Sequence, residues 1–175
     1  MAIIDYTYFI EHISLPTDNE NTQNKLALFI NDAQKKYLIK ALGYELYKLF
    51  IADLPVPITD RFTDLLDGVD YTDTNGTHKR WNGLANSEKD TFLAYFAYYH
   101  ALESGQYNAT SNGVTVQMFE NSELISPIAK QTYAYNEGVD RYNELYDFLY
   151  ENEDTYPEWD SRDWIELKIV NIFNI

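Results

Sequence analysis

The sequence contains no cysteine, which excludes disulfides, thiolate metal sites and a cysteine nucleophile. Basic residues are scarce: 13 Lys and Arg stand against 28 Asp and Glu, a formal net charge of −15. Because nucleic-acid backbones and anionic membrane surfaces are bound by clustered Lys and Arg, we expect neither partner. No apolar run approaches the ~20 residues that span a bilayer, and residues 1–15 lack the basic region of a secretory signal.

Catalytic motifs are also missing, since the chain has no phosphate-binding loop, no dinucleotide-binding glycine pattern and no nucleophile elbow. His100 and Glu103 are three residues apart on a predicted helix, a spacing that can hold a metal. The other two histidines, His12 and His78, lie outside any ligand-like spacing, so we interpret His100 as a core histidine.

Residues 71–82 partly match a calcium-binding loop, with Asp73, Asn75 and Gly76 at its third, fifth and sixth positions. The first Asp and the final Glu of such a loop are replaced by Tyr71 and Asn82, so we expect no calcium site. We therefore predict no catalytic residue, no cofactor and no metal, and hence no enzyme.

The composition is typical of a globular protein, with 45% hydrophobic residues, 16% aromatic residues and 16 tyrosines. The length suits a single domain. The first helix is predicted to start between residues 21 and 24. Its apolar stripe comprises Leu26, Phe29, Ile30, Ala33, Tyr37 and Ala41, continued by Leu46, Leu49 and Phe50. Gly43 predicts a kink or a helix end, and Pro55 and Pro57 close the region.

A short helix is predicted from Thr59 or Asp60 to Asp67, with Gly68 after its last residue. Residues 69–81 surround Asn75-Gly76, a pair that tolerates positive φ at both central turn positions, and we predict a short β-hairpin there.

The next helix, about residues 88–104, is predicted to be central and buried. Ser87 and Asp90 form a capping pattern at its start. From Thr91 to Leu102 the chain carries no charge, and a helix that is apolar on all sides is normally buried on all sides.

Residues 105–113 are rich in Asn, Ser and Gly and are interpreted as a linker. The alternation of Val114, Val116 and Met118 with polar residues predicts a strand, which we expect to pair with the hairpin in one small sheet.

Ser126-Pro127 predicts the start of a long helix. A heptad seam follows at Ile128, Thr132, Tyr135, Val139, Tyr142, Tyr146 and Leu149. We expect the seam to pack inside the domain rather than in a coiled coil. The predicted fold is thus mainly α, a single helical domain over residues 1–175 built around helix 88–104 with a small β-hairpin or sheet element.

The C-terminal segment, residues 151–175, is both acidic and apolar. Its tail includes Trp164, Ile165, Leu167, Ile169, Val170, Ile172 and Phe173 and is expected to dock on this subunit or on a neighbour. From Glu137 to Glu166 the chain holds 11 acidic residues against Arg141 and Arg162. A solvated helix face is the first interpretation; a docking surface for a basic partner and a mimic of DNA are the alternatives.

Several segments together resemble the head–tail connector proteins of tailed phages, also called head-completion or neck adaptor proteins. The likeness covers about residues 24–150. It comprises Ala33-Gln34, Leu42-Gly43 and Leu46-Tyr47, then the hairpin with Trp81-Asn82-Gly83-Leu84 and the helix FLAYFAYYHAL, and finally Gly113-Val114, Glu120-Asn121-Ser122 and the long helix with Asn136. Residues 151–166 do not match the pattern.

The resemblance implies a structural phage or prophage protein of the virion, assembled in the host cytoplasm, that forms a ring of identical subunits between portal and tail proteins. It carries over no catalytic residues. The alternative function is an acidic DNA mimic that inhibits a DNA-handling enzyme, dependent on Asp147, Glu151, Glu153 and Asp154. An enzyme of unknown class is the third hypothesis, for which no site can be assembled.

Overall fold

The computed structural model describes residues 2–10, 13, 20–54, 59–105, 107–110, 113–116 and 127–171. Short 3-10 helices lie at Tyr6–Phe9 and Ser161–Asp163. The regular elements within the described ranges are α1 (Glu20–Asp53), α2 (Asp60–Asp67), β1 (Val69–Thr72), β2 (His78–Trp81), α3 (Phe92–Gly105), β3 (Tyr107–Thr110), β4 (Gly113–Val116) and α4 (Pro127–Glu151). The predicted mainly α class with a small hairpin element is confirmed.

Helix α1 bends at Gly43, as predicted, with a backbone φ of 70° and ψ of 164°. Glycine is the residue that adopts this conformation without a Cβ penalty. The predicted stripe is buried at Leu26, Ile30, Ala33, Tyr37 and Ala41. Beyond the bend Leu46 and Phe50 are buried, but Leu49 is 40% exposed, so its assignment to the stripe is wrong. Pro55 and Pro57 lie outside the described residues.

The short helix α2 and the first hairpin follow the prediction in their bounds. Gly68 ends α2 with a φ of 91°. Strands β1 and β2 pair antiparallel, with Val69 opposite Trp81. The predicted β-hairpin is therefore confirmed. Its connection is a five-residue loop, residues 73–77, and among the described residues of this loop only Gly76 has a positive φ.

Helix α3 starts at Phe92, four residues later than predicted, and the expected Ser87–Asp90 cap is wrong. The Asn86 side chain closes the preceding loop, because its Oδ1 accepts from Asp90 N at 3.0 Å and its Nδ2 donates to Asp90 O at 2.7 Å. The Asp90 carboxylate is paired with Arg141. These contacts hold residues 86–90 outside the helix.

The central position of α3 is confirmed by its burial. Residues 91–97 are all buried. The Phe96 ring stacks on Tyr37 of α1, with ring centroids 3.8 Å apart. Phe96 also faces Gly138 of α4, where a Cβ atom would lie 2.8 Å from the ring. The helix is thus packed between α1 and α4.

The predicted linker at residues 105–113 contains strand β3, which pairs with β4 so that Tyr107 lies opposite Val116. The expectation of one sheet shared with the first hairpin is wrong, because the four described strands form two separate two-stranded sheets. Pairing across a two-residue connection costs less chain entropy than pairing with a distant strand. Met118 lies outside the described residues.

Helix α4 begins at Pro127, as predicted; Ser126 is outside the described residues. The later part of the heptad seam, Val139, Tyr142 and Leu149, is buried inside the domain, whereas Ile128 is 57% exposed. Among the described helices none is both long and apolar enough to cross a membrane.

Candidate interaction surfaces

His100 joins α1 to α3 through a chain of three side chains. Its Nε2 lies 3.3 Å from the Tyr37 hydroxyl, and its Nδ1 lies 3.4 Å from Glu103 Oε2. Burial lowers the pKa of His100, and the hydrogen bond and charge of Glu103 act in the opposite direction. Both ring nitrogens therefore have partners in the domain. The side chain is 20% exposed, so His100 borders the core rather than lying within it, and its interpretation as a core histidine is wrong. Within the described ranges, no group of three or more His, Cys, Asp or Glu could hold a metal ion.

The loop at residues 73–77 is organised by Asp73. Its Oδ1 accepts from Asn75 N at 2.9 Å and from Thr77 N at 2.8 Å, and its Oδ2 lies 3.3 Å from Lys79 Nζ. Carboxylates that accept local backbone N–H groups close turns of this kind. Asp73 thus stabilises the hairpin. The ammonium group of Lys79 lies beside the Asp73 carboxylate, at the place where a calcium ion would have to bind.

The acidic region divides into engaged and exposed carboxylates. Glu137 binds Arg141 Nη1 at 2.7 Å, and Glu158 binds Arg61 through both oxygens, at 2.8 and 3.0 Å. Glu151 accepts from Thr74 N at 2.8 Å and so anchors the hairpin loop to the end of α4. These carboxylates contribute to the fold itself.

Three carboxylates of α4, Asp140, Glu144 and Asp147, are exposed, and we call them the acidic ladder. Their spacing of four and three residues places them on one face of the helix. The ladder spans about 10 Å of helix axis. A DNA duplex of that length carries about six phosphates, so the ladder has roughly half the charge density of DNA.

Residues 164–171 form no helix or strand and follow α4 back toward its N-terminus, and we call them the C-terminal arm. Its first residue, Trp164, lies against Tyr142 and Tyr146, with ring centroids 4.3 and 5.0 Å apart. The Tyr142 hydroxyl, whose pKa is raised by burial, donates to Ile165 O at 2.9 Å. The described part of the tail therefore docks on the same subunit. Residues 172–175 lie outside the described residues.

Asn136 fastens the far end of the arm. Its Nδ2 donates to Val170 O at 2.9 Å, and its Oδ1 accepts from Val170 N at 2.8 Å. Three apolar side chains of the arm nevertheless face solvent: Ile165 is 49% exposed, Ile169 64% and Val170 51%. The arm is held through its backbone and through Trp164 and Leu167, which pack against the core, and it presents Ile165, Ile169 and Val170 outward.

Sequence reasoning noted Asn136 only for the resemblance and missed its role as a clamp. The sequence did carry a signal for this role, because asparagine has a low helix propensity and Asn136 lies within a long predicted helix. The pairing of Arg61 with Glu158 and of Arg141 with Asp90 was missed as well, because the chain offers many acidic residues and the sequence does not distinguish among them.

A family model described as "Family of unknown function (DUF6712)" matches residues 38–164. The match begins five residues before the bend of α1 and ends at the first residue of the C-terminal arm. No curated protein matches the chain, and no solved structure does. Since the family model covers more than two thirds of its length, this chain belongs to the family of unknown function DUF6712.

Proposed function

We propose that this chain is a structural subunit of the head–tail connector of a tailed phage or prophage and assembles with copies of itself into a ring between portal and tail. The observation that carries the proposal is the C-terminal arm, which presents Ile165, Ile169 and Val170 to solvent. Apolar side chains grouped on an exposed segment are typical of surfaces that another protein covers. The resemblance of residues 24–150 to connector proteins supports the head–tail connector as the assembly to which this surface belongs.

The aromatic core supports the same function. A ring subunit transmits load between two neighbours and needs helices that do not shift against one another. Stacked rings of Tyr37 and Phe96 join α1 to α3, and Arg141 joins α4 to the loop before α3 through Asp90, with its guanidinium 4.5 Å above the Tyr95 ring. Such interlocked packing favours a rigid subunit.

The acidic surface is compatible with a channel for DNA. The exposed carboxylates of the acidic ladder repel phosphates, so DNA slides past them without being held. This part of the proposal requires the acidic ladder to line the lumen of the ring.

The proposal is tested by measuring the mass of the full chain by light scattering, alone and mixed with the portal protein of the same phage. We expect a ring-sized species with portal. The triple substitution of Ile165, Ile169 and Val170 by Ser should reduce its yield, while Lys168→Ser, an exposed polar site on the same arm, should not. A strict monomer at high concentration with portal present would contradict the proposal.

An acidic inhibitor that mimics DNA is the second candidate, favoured by the exposed acidic ladder. Its charge density, half that of DNA, makes it the weaker candidate. Glu151 is engaged in the fold, so the informative variant is Asp140→Asn with Glu144→Gln and Asp147→Asn. Inhibition of a nuclease or an RNA polymerase that disappears in this variant would favour the mimic over the connector.

A further inference from the structure

We propose that the C-terminal arm is exchanged between subunits: in the assembled ring, the α4 surface formed by Asn136, Tyr142 and Tyr146 holds residues 164–171 of a second copy. The inference rests on the proposed function, because it names the contact by which neighbouring subunits are joined. In the isolated subunit the same surface holds the chain's own arm.

Beyond the ring contacts of Trp164 with Tyr142 and Tyr146, the recognition is directed at the backbone of the arm. Asn136 binds both the N–H and the carbonyl of Val170, and Tyr142 binds the carbonyl of Ile165. Such bonds are independent of whether the arm belongs to the same chain or to a copy. A second copy is therefore a partner that satisfies every bond already present, with no new chemistry required.

The residues that precede the arm have contacts of their own with the domain. The segment between α4 and the arm is fastened separately: Arg61 binds Glu158 at 2.8 and 3.0 Å, and Tyr156 donates to Arg61 O at 2.7 Å. Trp159 donates to Ala41 O at 2.9 Å. Release at Trp164 removes its ring contact with Trp159 and leaves these hydrogen bonds in place. A segment of this length reaches about 25 Å when it is extended.

Docking on the same subunit packs Trp164 and Leu167 but leaves three apolar side chains of the arm exposed. Ile165, Ile169 and Val170 remain 49%, 64% and 51% exposed there. An arm that lies between two subunits is covered from both sides, because the donor and the acceptor each contribute a surface. Burial of these three side chains provides the free-energy difference that favours exchange in the ring.

Cross-linking between separately prepared chains tests the proposal, and the absence of native cysteine makes each introduced thiol unique. One population carries Asp140→Cys, an exposed site one helical turn after Asn136, and the other carries Val170→Cys. The two are mixed under the conditions that give the ring and treated with a short bismaleimide. We expect covalent dimers, with a yield that falls about tenfold when Asn136→Leu is added to the first population, because two hydrogen bonds to the arm are lost.

Two controls make the result specific. A chain carrying both Asp140→Cys and Val170→Cys reports whether the reagent spans the pair within one subunit. Asn75→Cys lies in the hairpin loop at the opposite end of α4 and should give no dimer with Val170→Cys. Oligomers that yield only cross-links within one chain would overturn arm exchange while leaving the ring intact. A monomer in the presence of portal, measured on the same samples by light scattering, would overturn both.

Discussion

Replacing Gly138 by alanine adds one methyl group where α4 meets α3. A Cβ atom at this position lies 2.8 Å from Cε1 and 2.9 Å from Cδ1 of Phe96. Phe96 is fully buried, and its ring is stacked on Tyr37 with edge contacts to Phe92 and Tyr142. Because these neighbours hold the ring, the added methyl group requires the Phe96 ring or the backbone of α4 to shift.

Two opposing contributions determine the magnitude. Alanine stabilises a helix by about 1 kcal/mol relative to glycine. Overpacking a well-filled core costs about 1–3 kcal/mol, and contacts below 3.0 Å to a stacked ring place Gly138→Ala at the upper end of that range. The expected net loss of unfolding free energy is about 2 kcal/mol, which lowers Tm by about 4–8 °C for a chain of this length.

The free energy of unfolding is measured by urea denaturation followed by circular dichroism. Asn143→Ala is the matched control, because Asn143 is exposed on the same helix and gains helix propensity without a clash. Phe96→Leu in the Gly138→Ala background should recover part of the loss, and the double-mutant cycle isolates the coupling. If Gly138→Ala stabilises the protein as Asn143→Ala does, the close packing of α3 on α4 is refuted.

Three further substitutions address other parts of the fold. Gly83→Ala places a Cβ atom 2.6 Å from the backbone at the end of α2, at a φ of 93°, and should lower the unfolding free energy by more than about 3 kcal/mol in urea denaturation. Trp159→Phe removes the donor to Ala41 O at the bend of α1 and should cost about 1–3 kcal/mol in the same assay, with helix content unchanged. For Glu158→Gln, the hydrogen bond from Arg61 lowers the pKa of the native carboxyl below its ordinary 4.5. The stabilisation by this ion pair is therefore present above about pH 4.5 and is lost as the pH falls through the lower folded-state pKa. The unfolding free energies of the wild type and of Glu158→Gln should accordingly converge in acid.

Gly83→Ala and Glu158→Gln each have a control and a contradicting outcome. Gly76→Ala also has a positive φ but meets no atom within 4 Å, so its loss should be smaller than that of Gly83→Ala; equal losses would contradict the steric argument. Asp154→Asn replaces an exposed carboxyl four residues before Glu158 and should leave the unfolding free energy unchanged. If the difference in unfolding free energy between the wild type and Glu158→Gln stays constant on acidification, the assigned ion pair is contradicted.

Local features of the chain could be predicted because single residues determine them. Gly43 bends α1 and Gly68 ends α2, since only glycine adopts these backbone conformations without strain. Pro127 starts α4 because it needs no N–H partner there. The burial of α3 followed from its lack of charge. The predicted start of α3 was wrong because Ser87 and Asp90 form a plausible cap pattern in the sequence. In the structure the Asn86 side chain binds the Asp90 backbone instead and keeps these residues in a loop.

Pairings between distant residues could not be predicted. Arg61 and Glu158 are 97 residues apart, Arg141 and Asp90 are 51 apart, and Asn136 and Val170 are 34 apart. A chain with 28 acidic residues offers many partners for each cation. The choice among them depends on which elements lie together after packing, and periodicity carries no such information.

The sequence by itself determined that this chain is acidic, mainly α and built around a helix without charge, because composition and apolar periodicity act through local backbone preference and burial. Only the tertiary structure decided which carboxylates are exposed as the acidic ladder and which hold the fold together. It also decided that residues 164–171 lie along α4, with their backbone bound by Asn136 and Tyr142 and with Ile165, Ile169 and Val170 outward. Contacts of this kind form only once the helices have packed, since packing alone brings an amide at position 136 to a backbone at position 170.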